Sequence, residues 1–165
     1  MSDSTFVIRP IGFVRSPRDE ATDDFWGDIV SQIDLCDDVP TESLDGLDDF
    51  SHAEIIYLFD RVMPDKITTG ARHPRGNTDW PLVGIFAQRA KNRPNRLGSS
   101  IVRILSRSGR ILKVLALDAI DGTPVLDIKP VMTEFLPREP VRQSSWSHEL
   151  MADYWRSEIG PGESS

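Results

Sequence analysis

The 165-residue chain has little of what secreted, metal-binding or membrane proteins rely on. It holds one cysteine, Cys36, and three histidines, His52, His73 and His148, set far apart. A lone thiol cannot close a disulfide within the chain, and no Cys/His cluster has the spacing of a zinc module, so no metal is expected and the thiol is read as reduced. No apolar run approaches the ~18 residues that a membrane-spanning helix needs. The opening MSDSTFVIRP lacks a basic stretch followed by a long apolar one. A cytoplasmic protein without a membrane partner is the expectation. Signature motifs are missing too: no GxGxxG after a strand, no GxxxxGKS/T, no HExxH and no GxSxG. Dinucleotide redox chemistry, P-loop hydrolysis, zinc proteolysis and serine hydrolysis lose their usual support.

Acid is absent from one long stretch. The formal net charge is −7, from 19 basic and 26 acidic residues, which by itself argues against a polyanionic partner. The distribution argues differently. Residues 1–82 carry 17 acids and 7 bases, residues 83–165 carry 9 acids and 12 bases, and from Trp80 to Leu117 there is no acid at all. Arg89, Lys91, Arg93, Arg96, Arg103, Arg107, Arg110 and Lys113 fall in that stretch. An acidic protein can thus present one electropositive face, the footprint an anionic ligand requires. Solvated arginines on strand faces are the plain alternative.

With 39% apolar and 27% charged residues, the chain reads as one domain over 1–165. A chain of this size removes roughly 70% of its unfolded surface from water, enough to build a core without staples. Short apolar segments alternating every two residues dominate, and turn residues separate them. Strands are expected at Phe6–Val14, Ile29–Leu35, His52–Val62, Val83–Ala87, Ile101–Leu105, Ile111–Leu117 and Val125–Ile128, with a hairpin at Ser108-Gly109 and an antiparallel meander in the middle. In the second strand Ile29, Ser31, Ile33 and Leu35 share a face. In the third, Ile55, Tyr57 and Phe59 oppose Ile56 and Leu58, so both faces are expected to be covered. Helical spacing shows clearly once, at Trp146, Leu150, Met151, Tyr154 and Trp155, capped by Ser144 or Ser145 and stopped by Gly160-Pro161. The fold class is mainly β: a small antiparallel barrel over about 6–135, long loops at 37–49 and 64–81, and a C-terminal helix over about 144–159. Closure removes exposed sheet edges.

Three segments carry chemistry. ARHPRG (71–76) with PLVGIFAQRAKNRPNRLGSS (81–100) offers Arg72, Arg89, Arg93, Asn95 and Arg96 around a proline-stiffened loop, donors suited to a carboxylate or phosphate. In LALDAIDGTPVLDIKP (115–130), Asp118, Asp121, Asp127 and Lys129 interrupt apolar strand sequence beside an Asp-Gly turn, a setting for a ribose diol or an amine. GLDDFSHAEIIYLFDR (46–61) ends a strand in Asp60-Arg61. Ordinary turns and salt bridges are the competing account of each.

The stretches IGFVRSP, GLDDFSH, ARHPRG, GIFAQRAKNRPNRLGSS and DGTPVLDIKP, read in order from about Ile11 to Pro130, resemble the motif series of the TsaA-like family, also called YaeB or TrmO proteins. The resemblance implies a dimeric β-barrel methyltransferase that uses S-adenosylmethionine near the subunit interface. Its best-known activity is N6-methylation of threonylcarbamoyladenosine beside the tRNA anticodon. By the same resemblance Arg93 sits against the cofactor, Asp60 and Arg61 lie at its edge, and Ala119, Ile120, Asp121 and Gly122 line its adenosine. Phe25-Trp26-Gly27 matches a covering segment, with Trp26 facing the sulfonium. Asp118 or Asp127 then meets the charge developing on the attacking nitrogen, and Lys129, Arg89, Arg72, Asn95 and Arg96 hold the substrate. The family's RPNP loop ends here in Arg96, its KP-aromatic ending reads Lys129-Pro130-Val131, and a short helix stands where longer relatives carry a further domain. These departures leave room for a small-molecule methyl acceptor, or for binding of the cofactor without turnover.

Overall fold

The computed structural model describes residues 4–158. Strands β1 (Gly12–Arg15), β2 (Val30–Leu35), β3 (His52–Leu58), β6 (Leu97–Ser108), β7 (Ile111–Leu115) and β8 (Pro124–Pro130) close into a barrel in the order β1-β2-β7-β6-β3-β8, every neighbouring pair antiparallel. The expected fold class holds. Two short strands, β4 (Ala71–Arg72) and β5 (Val83–Gly84), pair outside it.

Alternation decides what fills the interior. β2 turns Ser31, Ile33 and Leu35 inward, β3 turns Ala53, Ile55 and Tyr57, and β7 turns Leu112 and Val114. With Val14, Val102, Val125, Leu117 and Ala119 they form one core, closed at one end by Leu44. Bulges at Ile56/Tyr57 against β8 and at Ile104/Ser106 against β7 supply the bend that a six-stranded barrel demands. At the hairpin between β6 and β7, Gly109 takes φ 56°, the left-handed geometry that favours glycine.

Several expectations are corrected. The first strand begins at Gly12, not Phe6: Gly12 pairs with Leu35, the last residue of β2, and the backbone bonding runs one residue further back, to Ile11, whose amide donates to the Val125 carbonyl and whose carbonyl accepts from the Cys36 amide. Phe6, Val7 and Ile8 are exposed. The middle of the chain is not a meander: β3 lies between β6 and β8. Val83–Ala87 is a two-residue strand running into a 3-10 turn, apart from the barrel. The outer face of β3, at Ile56 and Leu58, is half-covered. The C-terminal helix α1 spans Ser145–Leu150 and gives way to turns, because the carbonyls of Asp153 and Tyr154 accept hydrogen bonds from the amides of Phe25 and Trp26. The expected helix end at 159 lies outside the described residues.

One glycine is required by packing. The Tyr57 ring lies across the partner strand at Gly98, where a Cβ would meet its atoms at 2.3–2.9 Å. Tyr57 is 2% exposed and cannot swing out. Gly98→Ala is therefore expected to destabilise the fold by about 2 kcal/mol, the scale of core overpacking. Urea unfolding checks it, and an unchanged midpoint would show that the ring moves freely.

Candidate functional site

One pole of the barrel gathers most of the residues singled out from the sequence. The end of β3 pairs with the start of β6 (Leu58 with Leu97), the end of β7 with the start of β2 (Leu115 with Val30), and the end of β1 lies beside the start of β8. The segments that follow or precede these ends, 16–27, 59–62, 89–96 and 116–123, therefore emerge together. The corner Phe59–Val62 fastens two of them. Its Phe59 amide donates to the Arg96 carbonyl at 2.8 Å, and Arg96 Nη1 donates to the Val62 carbonyl at 2.9 Å. Arg61 reaches the other way, from Nη2 to the Asp121 carbonyl at 3.0 Å and from Nη1 to the Asp19 carbonyl at 2.8 Å. The arginine loop and the Asp-Gly bend thus share one anchor.

Asp118 is the polar centre of this pole. Tyr57 Oη donates to its Oδ1 at 3.0 Å, Ser100 Oγ donates to the same oxygen, and Tyr154 Oη donates to Oδ2. Tyr57 and Ser100 sit on adjacent strands facing inward, one register step apart (Tyr57 opposite Gly98, Ile55 opposite Ser100). Burial, and then the neighbouring Asp118 charge, push both phenols well above the ordinary tyrosine range, while Arg89 pulls the other way. Both remain protonated donors across the physiological range. The cluster therefore presents a carboxylate oriented by three hydroxyls, with a guanidinium nearby, able to meet positive charge developing on a substrate nitrogen.

The arginine loop is tied by its own backbone and by a buried glutamine. Gln88, 7% exposed, donates from Nε2 to the carbonyls of Arg72 and Val83 at 3.0 Å each, and its own carbonyl accepts from Arg93 Nη1 at 3.0 Å. Arg72 and Arg93 are thereby held on either side of Gln88, and Arg89 donates to the Ser99 carbonyl. Asn95 is exposed at the loop tip, and Arg96 at φ 53° serves the corner rather than a ligand. In the Asp-Gly bend, Asp121 Oδ1 accepts from the Ser16 amide at 3.0 Å, and Gly122 turns with φ 80°. The amides of Ala119 and Ile120 and the carboxylate of Asp60 have no protein partner among the described residues.

Other expected residues lie elsewhere. Asp127 and Lys129 do not join Asp118: they pair with each other at 3.0 Å on β8, and Asp127 lines a concavity of about 530 Å³ towards the opposite pole, with Leu35, Val39, Leu44 and Phe50. Trp26 is at the first pole but is 3% exposed, with the Arg18 guanidinium 4.7 Å above its ring, so its indole is not open to a sulfonium. The basic stretch also divides. Arg107 pairs with Asp45 at 2.8 Å and donates to the Thr41 carbonyl, while Arg110 donates to the carbonyls of Cys36, Asp37 and Val39. Both fasten the acidic loop at the far pole. Arg103 and Lys113 stay exposed on the outer face of β6 and β7.

Sequence reading missed Tyr57, Ser100, Gln88 and Tyr154 as members of the site. A signal for Ser100 existed: it shares inward parity with Val102, and a polar group facing a barrel interior must find a partner. That partner is Asp118, and nothing in the sequence indicates that Tyr154, 36 residues after Asp118, reaches the same carboxylate.

Known proteins share the sequence pattern and the fold. Residues 16–135 match the tRNA-methyltransferase O N-terminal domain. A probable S-adenosyl-L-methionine-binding protein of Pyrococcus abyssi is 37% identical over 140 residues, covering 81% of this chain and 72% of that protein. The mouse tRNA (adenine(37)-N6)-methyltransferase is 32% identical over 114 residues, 69% of this chain and 26% of that one. A crystal structure of TrmO from Pseudomonas aeruginosa superposes with a TM-score of 0.71 at 27% identity, over 88% of this chain and 63% of the solved one. The chain thus spans less than two thirds of the solved TrmO. The matched stretch holds five of the six barrel strands and the corner at Phe59–Val62, and the chain belongs to the tRNA-methyltransferase O N-terminal domain family.

Proposed function

We propose that the chain is an S-adenosylmethionine-dependent methyltransferase whose acceptor is the N6 nitrogen of threonylcarbamoyladenosine beside a tRNA anticodon, and that it works as a homodimer. The observation that carries this reading is the shared anchor: the corner Phe59–Val62 holds the Arg93 loop and the Asp121-Gly122 bend at the same pole as Asp118.

The residues at that pole fit the cofactor by the chemistry of their donors. Asp60 has a free carboxylate for an amine or a ribose diol, Arg93 has Nε and Nη2 beyond its Nη1 bond to Gln88 for a carboxylate, and the amides of Ala119 and Ile120 are free to read a base edge. When bound, S-adenosylmethionine supplies an electrophilic methyl group on a good leaving group, so no covalent nucleophile is required of the protein. What remains is alignment and charge, which positioning residues provide. Asp118, held by hydroxyls on both oxygens, is placed to stabilise positive charge on the attacking nitrogen. Arg61 and Asp121 act through the backbone they lock, and Trp26 acts as a buried wall. Arg72, Arg89 and Asn95 face the acceptor. Anticodon-loop bases can be splayed out and read singly, which suits so small a barrel.

Dimerisation has support in large apolar side chains left exposed, among them Phe86, Phe135 and Val141, which a second copy would cover. Sedimentation of the intact chain should give twice the monomer mass, and a monomer at micromolar concentration would refute that part of the reading.

Incubation with methyl-labelled cofactor and tRNA from a strain lacking the modification should put label into one digested nucleoside. Arg93→Ala and Asp121→Ala are each expected to weaken cofactor binding at least several-fold by calorimetry, and unchanged affinity in both would place the cofactor elsewhere. If tRNA is the acceptor, log affinity falls steeply with log salt. Arg103→Gln should reduce that slope by about one, while Arg110→Gln, whose side chain serves the acidic loop, should lower stability and leave the slope alone. A salt-insensitive interaction favours a small-molecule acceptor.

A further inference from the structure

The stretch that matches the family ends at residue 135, yet the chain returns to the site beyond it. The C-terminal segment from the end of α1 onward, residues 149–158, is docked across the pole by contacts from several elements. The Phe25 and Trp26 amides donate to the Asp153 and Tyr154 carbonyls at 3.1 and 2.8 Å. Trp80 Nε1 donates to Glu149 at 2.8 Å, and Arg18 pairs with Glu158 at 3.2 Å. Gly27 makes the approach possible, because a Cβ there would stand 1.9 Å from the Trp155 carbonyl oxygen. The result of this docking is specific: Tyr154 Oη reaches Asp118 Oδ2, the carboxylate oxygen that neither Tyr57 nor Ser100 serves.

We infer that Tyr154 is a positioning residue, supplied from outside the family domain, that fixes the direction in which the Asp118 carboxylate faces the methyl acceptor. Tyr57 and Ser100 hold one oxygen, which leaves the carboxylate free to rotate about that attachment. A donor on the second oxygen removes this freedom. The neighbouring Trp155 packs edge-on against the Tyr154 ring at 4.8 Å, an aromatic contact that a phenylalanine can also make. The role rests on the proposed use of Asp118 at the acceptor nitrogen, and it concerns the orientation of that group rather than cofactor binding.

The test separates hydroxyl from docking. Tyr154→Phe keeps the ring and the main-chain bond to Trp26, so amide-exchange protection at Phe25 and Trp26 should persist. The kcat for methyl transfer should fall about tenfold, the worth of one hydrogen bond to a charged group, while the KM for the cofactor changes less than about twofold. In an Asp118→Asn background the second substitution should cost nothing further, since both act through one carboxylate. Additive losses, or full kcat in Tyr154→Phe, would overturn the inference. A readout independent of turnover is the Asp118 carboxyl carbon resonance of the free protein at fixed pH. It should move in Tyr154→Phe and stay put in Trp155→Phe; an unmoved resonance overturns the inference whatever the activity. A wild-type chain that transfers no label to any acceptor refutes the proposed function instead.

Discussion

A carboxylate at the mouth of a barrel must recover, from the protein, the donors it gives up on leaving water. Leaving such a group short costs on the order of 1–3 kcal/mol or more. At Asp118 the three donors come from three places: β3 through Tyr57, β6 through Ser100 and the C-terminal segment through Tyr154. Much of the pole follows from satisfying them. Tyr57 must point inward, so the strand beside it must be bare at Gly98. Tyr154 must reach across, so the chain at Gly27 must be bare as well. The same requirement that orients the carboxylate thus also selects two glycines and ties the segment at Phe25–Gly27 to the C-terminal segment at Asp153–Trp155.

Arginine performs a second task throughout, and it is mostly architectural. Arg61, Arg96, Arg107 and Arg110 spend their donors on main-chain carbonyls of irregular segments. A guanidinium has several donors in a fixed plane, which lets one side chain close a loop that has no strand to pair with. The acidic loop at the far pole is fastened to the barrel in this way. The positive charge left for an anionic ligand is therefore smaller than the acid-free stretch from Trp80 to Leu117 suggests, and it is concentrated near Arg72, Arg89 and Arg93 and on the outer face at Arg103 and Lys113. The candidate site is marked by convergent donors, while the concavity of about 530 Å³ lies beside Asp127, away from them.

Amino-acid order by itself determined which residues share a strand face and where the chain turns. Period-two alternation put Ser31, Ile33 and Leu35 on one face of their strand and Ile55 and Tyr57 on one face of theirs, and Ser108-Gly109 marked the hairpin, because both are local consequences of strand pleat and backbone sterics. The motif series from Ile11 to Pro130 carried the family. Tertiary structure alone decided which strands became neighbours, since alternation says which side a residue faces and nothing about who lies across from it. It split Asp127 and Lys129 from Asp118, buried Trp26 under Arg18, and turned Arg107 and Arg110 into loop fasteners. It also brought Tyr154 back to a carboxylate 36 residues earlier, a contact with no local periodicity because it exists only once the barrel has closed and offered the C-terminal segment a surface to dock on.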